Sequence, residues 1–419
     1  MNIVRSWLQQ YSLFLLVTSG LTIILLTIIG CTSNSDVEIP DYIKEMENVT
    51  VFPLDVEPTR HIRLKEEAVF GSTDEVVLGV FFPPAVDRQD RVYLGEAGEN
   101  TIRVFFPDGT YLKQIGRRGQ GPGEFLSPPI PQIVSDTLIV YDHLQLRVSL
   151  YSTDSHELIR TLNLNPRNQY SIEELSERYI QKIFYTSDNV FIGVFAESEI
   201  PPYYPNYDPD KEYVLKYYLI GEDGRVLPDE LFELQETKPL VANVNGEVRS
   251  LSYDFLSKPL VSIADDGTIY TAYSDEFLIT VRSADDGEYQ RAFYHPLIKR
   301  EFHREEALQL DFSHIPDGLI PVWRGVLQNV SGSDLPDYWP VLNSLYIDDE
   351  NRLWVSTVVE DSEIYEWWVL HDTGEVIARF DWPRDSVIEV VKNGFVYARK
   401  IDSETGIHEI VRYRIIFES

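Results

Sequence analysis

Arg117 and Arg118 stand side by side in the run Gly116-Arg117-Arg118-Gly119-Gln120-Gly121-Pro122-Gly123-Glu124-Phe125. Adjacent guanidinium groups on a loop can offer a fork of donors to a carboxylate or phosphate. The same run contains Glu124, and an arginine paired with it would instead hold the loop shut. Glycine reaches backbone conformations that are costly for other residues, and proline fixes φ, so four glycines and Pro122 prescribe one particular path. A ligand loop and a structural joint would both use such a path. A second candidate lies between Glu197 and Tyr213, where Tyr203, Tyr204 and Tyr207 stand among four prolines that forbid helix and central strand. These tyrosines can form a stacking platform for a sugar or peptide, or pack against the body of the fold. The turns Asp265-Asp266-Gly267, Asp285-Asp286-Gly287 and Asp348-Asp349-Glu350-Asn351 invite calcium, but a calcium loop needs oxygens at alternating positions closed by a bidentate carboxylate. They read as hairpin turns whose carboxylates face solvent. The eight histidines include no pair at metal-ligand spacing, and no nucleophile elbow, His-Glu-x-x-His or phosphate-cradling loop occurs. No metal, cofactor or catalytic residue is assigned on these grounds.

Cys31 is the only cysteine, which excludes an internal disulfide. It follows Met1 to Gly30, where a polar start bearing Arg5 leads into an apolar run from Tyr11 to Ile29. Ile28-Ile29-Gly30-Cys31 resembles a lipobox, with small Gly30 before the cut and a thiol that would receive diacylglycerol. The expected organisation is a lipoprotein signal peptide over 1–30, Cys31 as the lipidated residue, and a tether over 31–58. An uncleaved membrane anchor is the alternative, since the run could nearly span a bilayer. No Asp follows Cys31, so the expected location is the outer membrane of the cell envelope, with the membrane as partner through the lipid. The net charge of -32, from 36 basic and 68 acidic residues, argues against nucleic acid as a partner, because affinity for phosphate backbones comes from clustered Lys and Arg.

The elements that would position such residues repeat along the chain. Asp90-Arg91-Val92-Tyr93-Leu94 leads to Ile102-Arg103-Val104-Phe105 and Asp108-Gly109; Asp266-Gly267-Thr268-Ile269-Tyr270 leads to Ile279-Thr280-Val281 and Asp286-Gly287. Asn351-Arg352-Leu353-Trp354-Val355 begins a third copy, and weaker ones start near Leu138, Val190 and Val396. Asp-Gly and Asn-Gly between alternating apolar runs are strong hairpin signals, because these turns need positive φ. Val92, Leu138, Val190, Ile269, Leu353 and Val396 lie 46, 52, 79, 84 and 43 residues apart. Three intervals match the roughly 40 to 50 residues of a four-stranded propeller blade, and the two long ones imply insertions, placed at about 197–213 and 297–340. The reading is all-β: a single six-bladed β-propeller with four-stranded blades over 59–419, carrying a small partly helical insertion between the fourth and fifth blades. Closing the ring without a raw edge requires the ends to meet, and His61-Ile62-Arg63-Leu64 can supply a strand to the last blade.

The Gly116 to Phe125 run resembles the G-x-x-G-x-G-P-G-E-F junction between blades of NHL-like, six-bladed β-propeller proteins, especially lipoprotein members found in Bacteroidetes-type bacteria. The resemblance implies a propeller without assigning a reaction. The expected function is a lipid-anchored binding or scaffold module of the cell envelope, with an envelope protein, peptide or glycan as ligand. One alternative is a metal-dependent hydrolase or lyase whose ligands gather from distant blades into the central tunnel. Another is an accessory subunit of a glycan or peptide uptake system.

Overall fold

Each repeat unit folds as a pair of hairpins. Val92–Glu96 pairs antiparallel with Thr101–Phe105, which pairs with Tyr111–Ile115. The second turn closes at Gly109, whose φ of +87° and close approach to the Val69 carbonyl leave no room for a Cβ. The computed structural model describes residues 37–73, 75–164, 172–186, 190–197, 211–283, 285–310, 312, 315–316, 318–401 and 408–418. Tyr42–Ser419 make up one unit, to which everything below refers.

Six antiparallel sheets form the blades. Their first, inner strands are Ala85–Val86, Ile130–Val134, Arg178–Tyr185, Pro259–Ile263, Leu342–Ile347 and Val387–Lys392. Val92, Leu138, Ile269, Leu353 and Val396 all fall in the second strand of their blades, and Val190 directly precedes the second strand of blade three, Phe191–Glu197. The ring closes as expected: His61–Phe70 completes the sixth blade by pairing with His408–Glu418, from His61 opposite Glu418 to Phe70 opposite Ile410. Apolar side chains fill the spaces between neighbouring blades, with Tyr93, Phe125, Trp354 and Tyr397 fully buried.

Two turns show how the repeat is fastened. Asp87 accepts from the Arg91 guanidinium at 2.6 Å and the Tyr93 hydroxyl at 2.9 Å. Its counterpart Asp348 accepts from Arg352 at 2.7 Å and the Trp354 indole at 2.8 Å. Asp348 therefore corrects the expectation that every Asp-rich turn faces solvent. Its carboxylate is buried because the arginine and aromatic donors replace water. Asp266 and Asp286 do lie in exposed turns, each accepting from a backbone N–H two residues on.

Two further differences concern the segments outside the repeat. The stretch expected as a tether over 31–58 is packed on the ring through much of its second half. Val49–Val51 adds a parallel fifth strand to blade four, and the Phe52 ring stacks on His295 with centroids 4.4 Å apart. The insertion expected at about 197–213 falls mostly outside the described residues. Residues 240–251 instead contribute an unexpected hairpin, Leu240–Val244 with Glu247–Leu251. This hairpin and the expected partly helical insertion, which contains the helices Arg304–Ala307 and Ile320–Asn329, share one apolar core. Val244, Tyr253, Phe255, Val326, Leu327 and Trp339 meet in it. Gly325 lies so close to Val244 that a Cβ would sit 2.7 Å from its methyl carbon. The connections run from the last strand of one blade to the first strand of the next, so they emerge on the same face of the ring and fold together there. Among the described residues no helix is long and apolar enough to cross a membrane.

Candidate functional site: the central tunnel and the first interblade joint

The run carrying Arg117 and Arg118 connects the last strand of blade one to the first strand of blade two. Arg117 donates to Glu124 Oε1 at 2.7 Å, and Glu124 Oε2 accepts from the Gly121 N–H at 2.8 Å. The Gly121 N–H, then Arg117, hold the Glu124 carboxyl below the usual carboxylate range. Arg118 donates to the Gly98 carbonyl at 3.0 Å. From blade two, Arg147 donates to the carbonyls of Gln120 at 3.1 Å and Gly121 at 2.9 Å, and also to that of Glu124. Asp142 accepts from the Leu126 N–H at 2.6 Å and the Ser127 hydroxyl at 2.8 Å. Phe125 is completely buried with Tyr151 edge-on to it. Glycine is required at Gly116, where φ is +71° and a Cβ would sit 2.2 Å from the Phe125 ring. These hydrogen bonds, most of them from Arg147 and Asp142 of blade two, fix two blades relative to each other. Both arginines remain exposed, each with a partner inside the fold.

The other expected site residues do not join them. Tyr203, Tyr204 and Tyr207 lie outside the described residues, as does Cys31. Among the described residues no group of three or more His, Cys, Asp or Glu side chains is placed to hold a metal. His295 is buried with Nε2 donating to the Gly374 carbonyl at 2.8 Å, and burial pushes it down to about 4.

The concavity common to all six blades is the tunnel between their inner strands. A cavity of about 310 Å³ takes lining from every one of them, among them Val86, Gln132, Lys182, Ser262, Tyr346 and Glu389. Most of its polar groups already have partners. Glu389 forms a two-pronged pair with Arg399 at 2.6 and 3.0 Å, and burial, opposed by that pairing, raises its carboxyl above the usual range. Asp348 is held by Arg352, Asp349 accepts from the Asn393 N–H at 2.9 Å, and Gln132 accepts from the Tyr185 N–H at 3.2 Å. Lys182 differs. Its ammonium sits 4.2 Å from the Phe184 ring centroid, and no described carboxylate pairs with it. The side chain is exposed toward the tunnel, and partial dehydration by the surrounding protein pushes the ammonium below the usual lysine range.

None of the tunnel groups is conspicuous in sequence. Lys182 lies inside Arg178–Tyr185, and the one local hint is a lysine within an apolar strand, where lysine is depleted. The β-bulge after Ile180, which leaves Gln181 as an extra residue, carries no sequence signature of its own.

The family profile bears on the fold. The family profile DUF5128, described as a 6-bladed beta-propeller, matches residues 86–196. Solved structures similar to this chain include a protein from Bacteroides fragilis, at a TM-score of 0.47 and 11% identity over 88% of this chain and 99% of that one. A DUF4221 family member from Bacteroides vulgatus matches at 0.46 and 12% over 86% and 99%. An inactive variant of virginiamycin B lyase from Staphylococcus aureus matches at 0.36 and 10% over 85% and 100%. No curated protein matches. With the six sheets above, the profile match makes the chain a six-bladed β-propeller.

Proposed function

We propose that this protein is a binding or scaffold module of the cell envelope, held to the membrane by lipid on Cys31, and that its ligand seat is the central tunnel. The observation that carries the reading is the state of the tunnel carboxylates. Glu389 and Asp348 are each engaged by an arginine of their own blade, so they do not form a free acid and base pair across an open site. An open cavity of this size without such a pair suits binding. Asp265 and Asp349 are exposed at turns and also line the cavity, but among the described residues no group of three or more such side chains is placed to hold a metal.

The test has two arms. Replacing Cys31 with Ser is expected to release the protein from the membrane fraction; retention at full precursor length would contradict lipid anchoring. Elemental analysis of the purified protein is expected to find no stoichiometric metal. One tightly held calcium or zinc per chain, removed by a chelator together with an activity, would contradict the binding reading.

A further inference from the structure

A second cavity, of about 330 Å³, opens from the tunnel between the inner strands of blades three, four and five. It meets the tunnel at Lys182, Phe184, Val261, Leu345 and Tyr346, which line both. Its make-up is unlike the rest of this acidic molecule, because Lys182 is the one charged residue among those lining it. Two inner strands are bulged where they border it. Gln181 is the extra residue opposite blade three's second strand, and Asn343 is the extra residue in blade five. Gln181 with Lys182, and Asn343 with Ser344, line the cavity as adjacent pairs. Strand bulges of this kind re-aim side chains and concentrate beside functional sites.

Hydrogen bonds connect the polar wall. Lys258 donates to Asn343 Oδ1 at 3.3 Å, and Asn343 Nδ2 donates to Ser344 Oγ at 3.0 Å. The opposite walls are apolar, including Leu215, Tyr217 and Leu260. One ammonium that faces the cavity without a described carboxylate, neutral donors nearby and apolar walls are complementary to a small organic anion. The surrounding protein partly dehydrates the cation, and a ligand carboxylate would offset that cost while its body covers the walls.

We propose that this cavity binds a small carboxylate with an apolar body, its carboxylate on Lys182 and its body against Leu215, Tyr217 and Leu260. The proposal rests on the tunnel being the ligand seat. Other titratable groups facing this region are Lys258, with Asp254 near it, and Tyr217 and Tyr346. Burial lowers Lys258 and raises both tyrosines, so Lys182 and Lys258 are the groups able to meet an anion near neutral pH. Both lysines lie below their usual range, so carboxylate binding should fade as pH rises toward the ordinary lysine value.

The experiment is calorimetric titration of the full-length chain in detergent with acetate, hexanoate and phenylacetate, each paired with its neutral amide. Expected are tighter binding as the apolar body grows, and at least a tenfold preference for phenylacetate over phenylacetamide. Lys182→Met should erase the preference and Lys182→Arg should retain most of it, with thermal unfolding confirming that both fold. Equal binding of acid and amide, displaced by a blocking Ser344→Trp substitution, would overturn the anion assignment while leaving the tunnel as the seat. A preference unchanged in Lys182→Met would overturn it as well, and heat from none of the six probes would do the same. The tunnel reading itself fails on different grounds, a resident metal with an activity.

Discussion

Two sets of cations teach opposite lessons. Arg117 and Arg118 are the most conspicuous basic residues in the sequence, adjacent and framed by glycines. The structure gives both of them structural partners, Glu124 and the Gly98 carbonyl. Lys182 is inconspicuous in its strand, yet it faces the central tunnel with an aromatic ring beside it and no described carboxylate next to it. On the proposal above, Arg117 and Arg118 serve the architecture, and Lys182 serves whatever enters the tunnel. A local motif reports what the backbone must do at that point. A binding site in a ring is assembled from different strands and blades that are distant in sequence, and local spacing is silent about it.

The largest effect that could break this contrast is Gly116→Val. A β-branched residue at φ +71°, with its Cβ driven into the buried Phe125 ring, should cost about 3–6 kcal/mol from strain and overpacking together. Chemical denaturation measures it, and a loss below about 1 kcal/mol would mean that the joint is not rigid. Acid supplies the next effect, where Phe52 of the N-terminal segment stacks on His295. The folded value of His295 is depressed to about 4, so its contribution is complete above about 6.5 and is lost as pH falls through 4. The difference amounts to at most about 3 kcal/mol. A His295→Gln variant should flatten the unfolding-versus-pH curve in that window, and a curve that keeps its slope would remove the assignment.

Gly123→Val should cost less, about 1–3 kcal/mol, because φ is +75° but the nearest obstacle to a Cβ is the Tyr151 hydroxyl at 3.3 Å. An unchanged melting temperature would show that the joint tolerates a side chain there. Lys182→Met and Arg117→Ala are expected to be small and of opposite sign. Removing a partly dehydrated cation that lacks a described carboxylate should leave stability unchanged or raise it by about 1 kcal/mol. Removing an exposed ion-pair partner should lower it by less than about 1 kcal/mol. If Lys182→Met were instead the more destabilising of the two, Lys182 would be structural and the contrast would fail.

The ring was legible because its signals are local. Asp-Gly turns at regular intervals, alternating apolar residues and the Gly116 to Phe125 run each dictate a nearby conformation, and the closing strand follows from the need to cover an edge. The pairing of Arg117 with Glu124 was legible in the same way, seven residues apart. The hairpin at 240–251 was not, because its core partners Val326, Leu327 and Trp339 come from the next interblade connection. Asp348 was misread because the turn alone does not show that Arg352 and Trp354 fold back onto its carboxylate. The bulges at Gln181 and Asn343 were invisible, since an extra residue in a strand appears only against its neighbour's register.

The most direct test places the two sets of cations in one experiment: phenylacetate titrated calorimetrically into the Arg117→Ala/Arg118→Ala double variant and, in parallel, into Lys182→Met. Binding unchanged in the double variant and weakened at least tenfold in Lys182→Met is the predicted result. Binding weakened in the double variant and unchanged in Lys182→Met would contradict it and return the ligand to the glycine-rich loop.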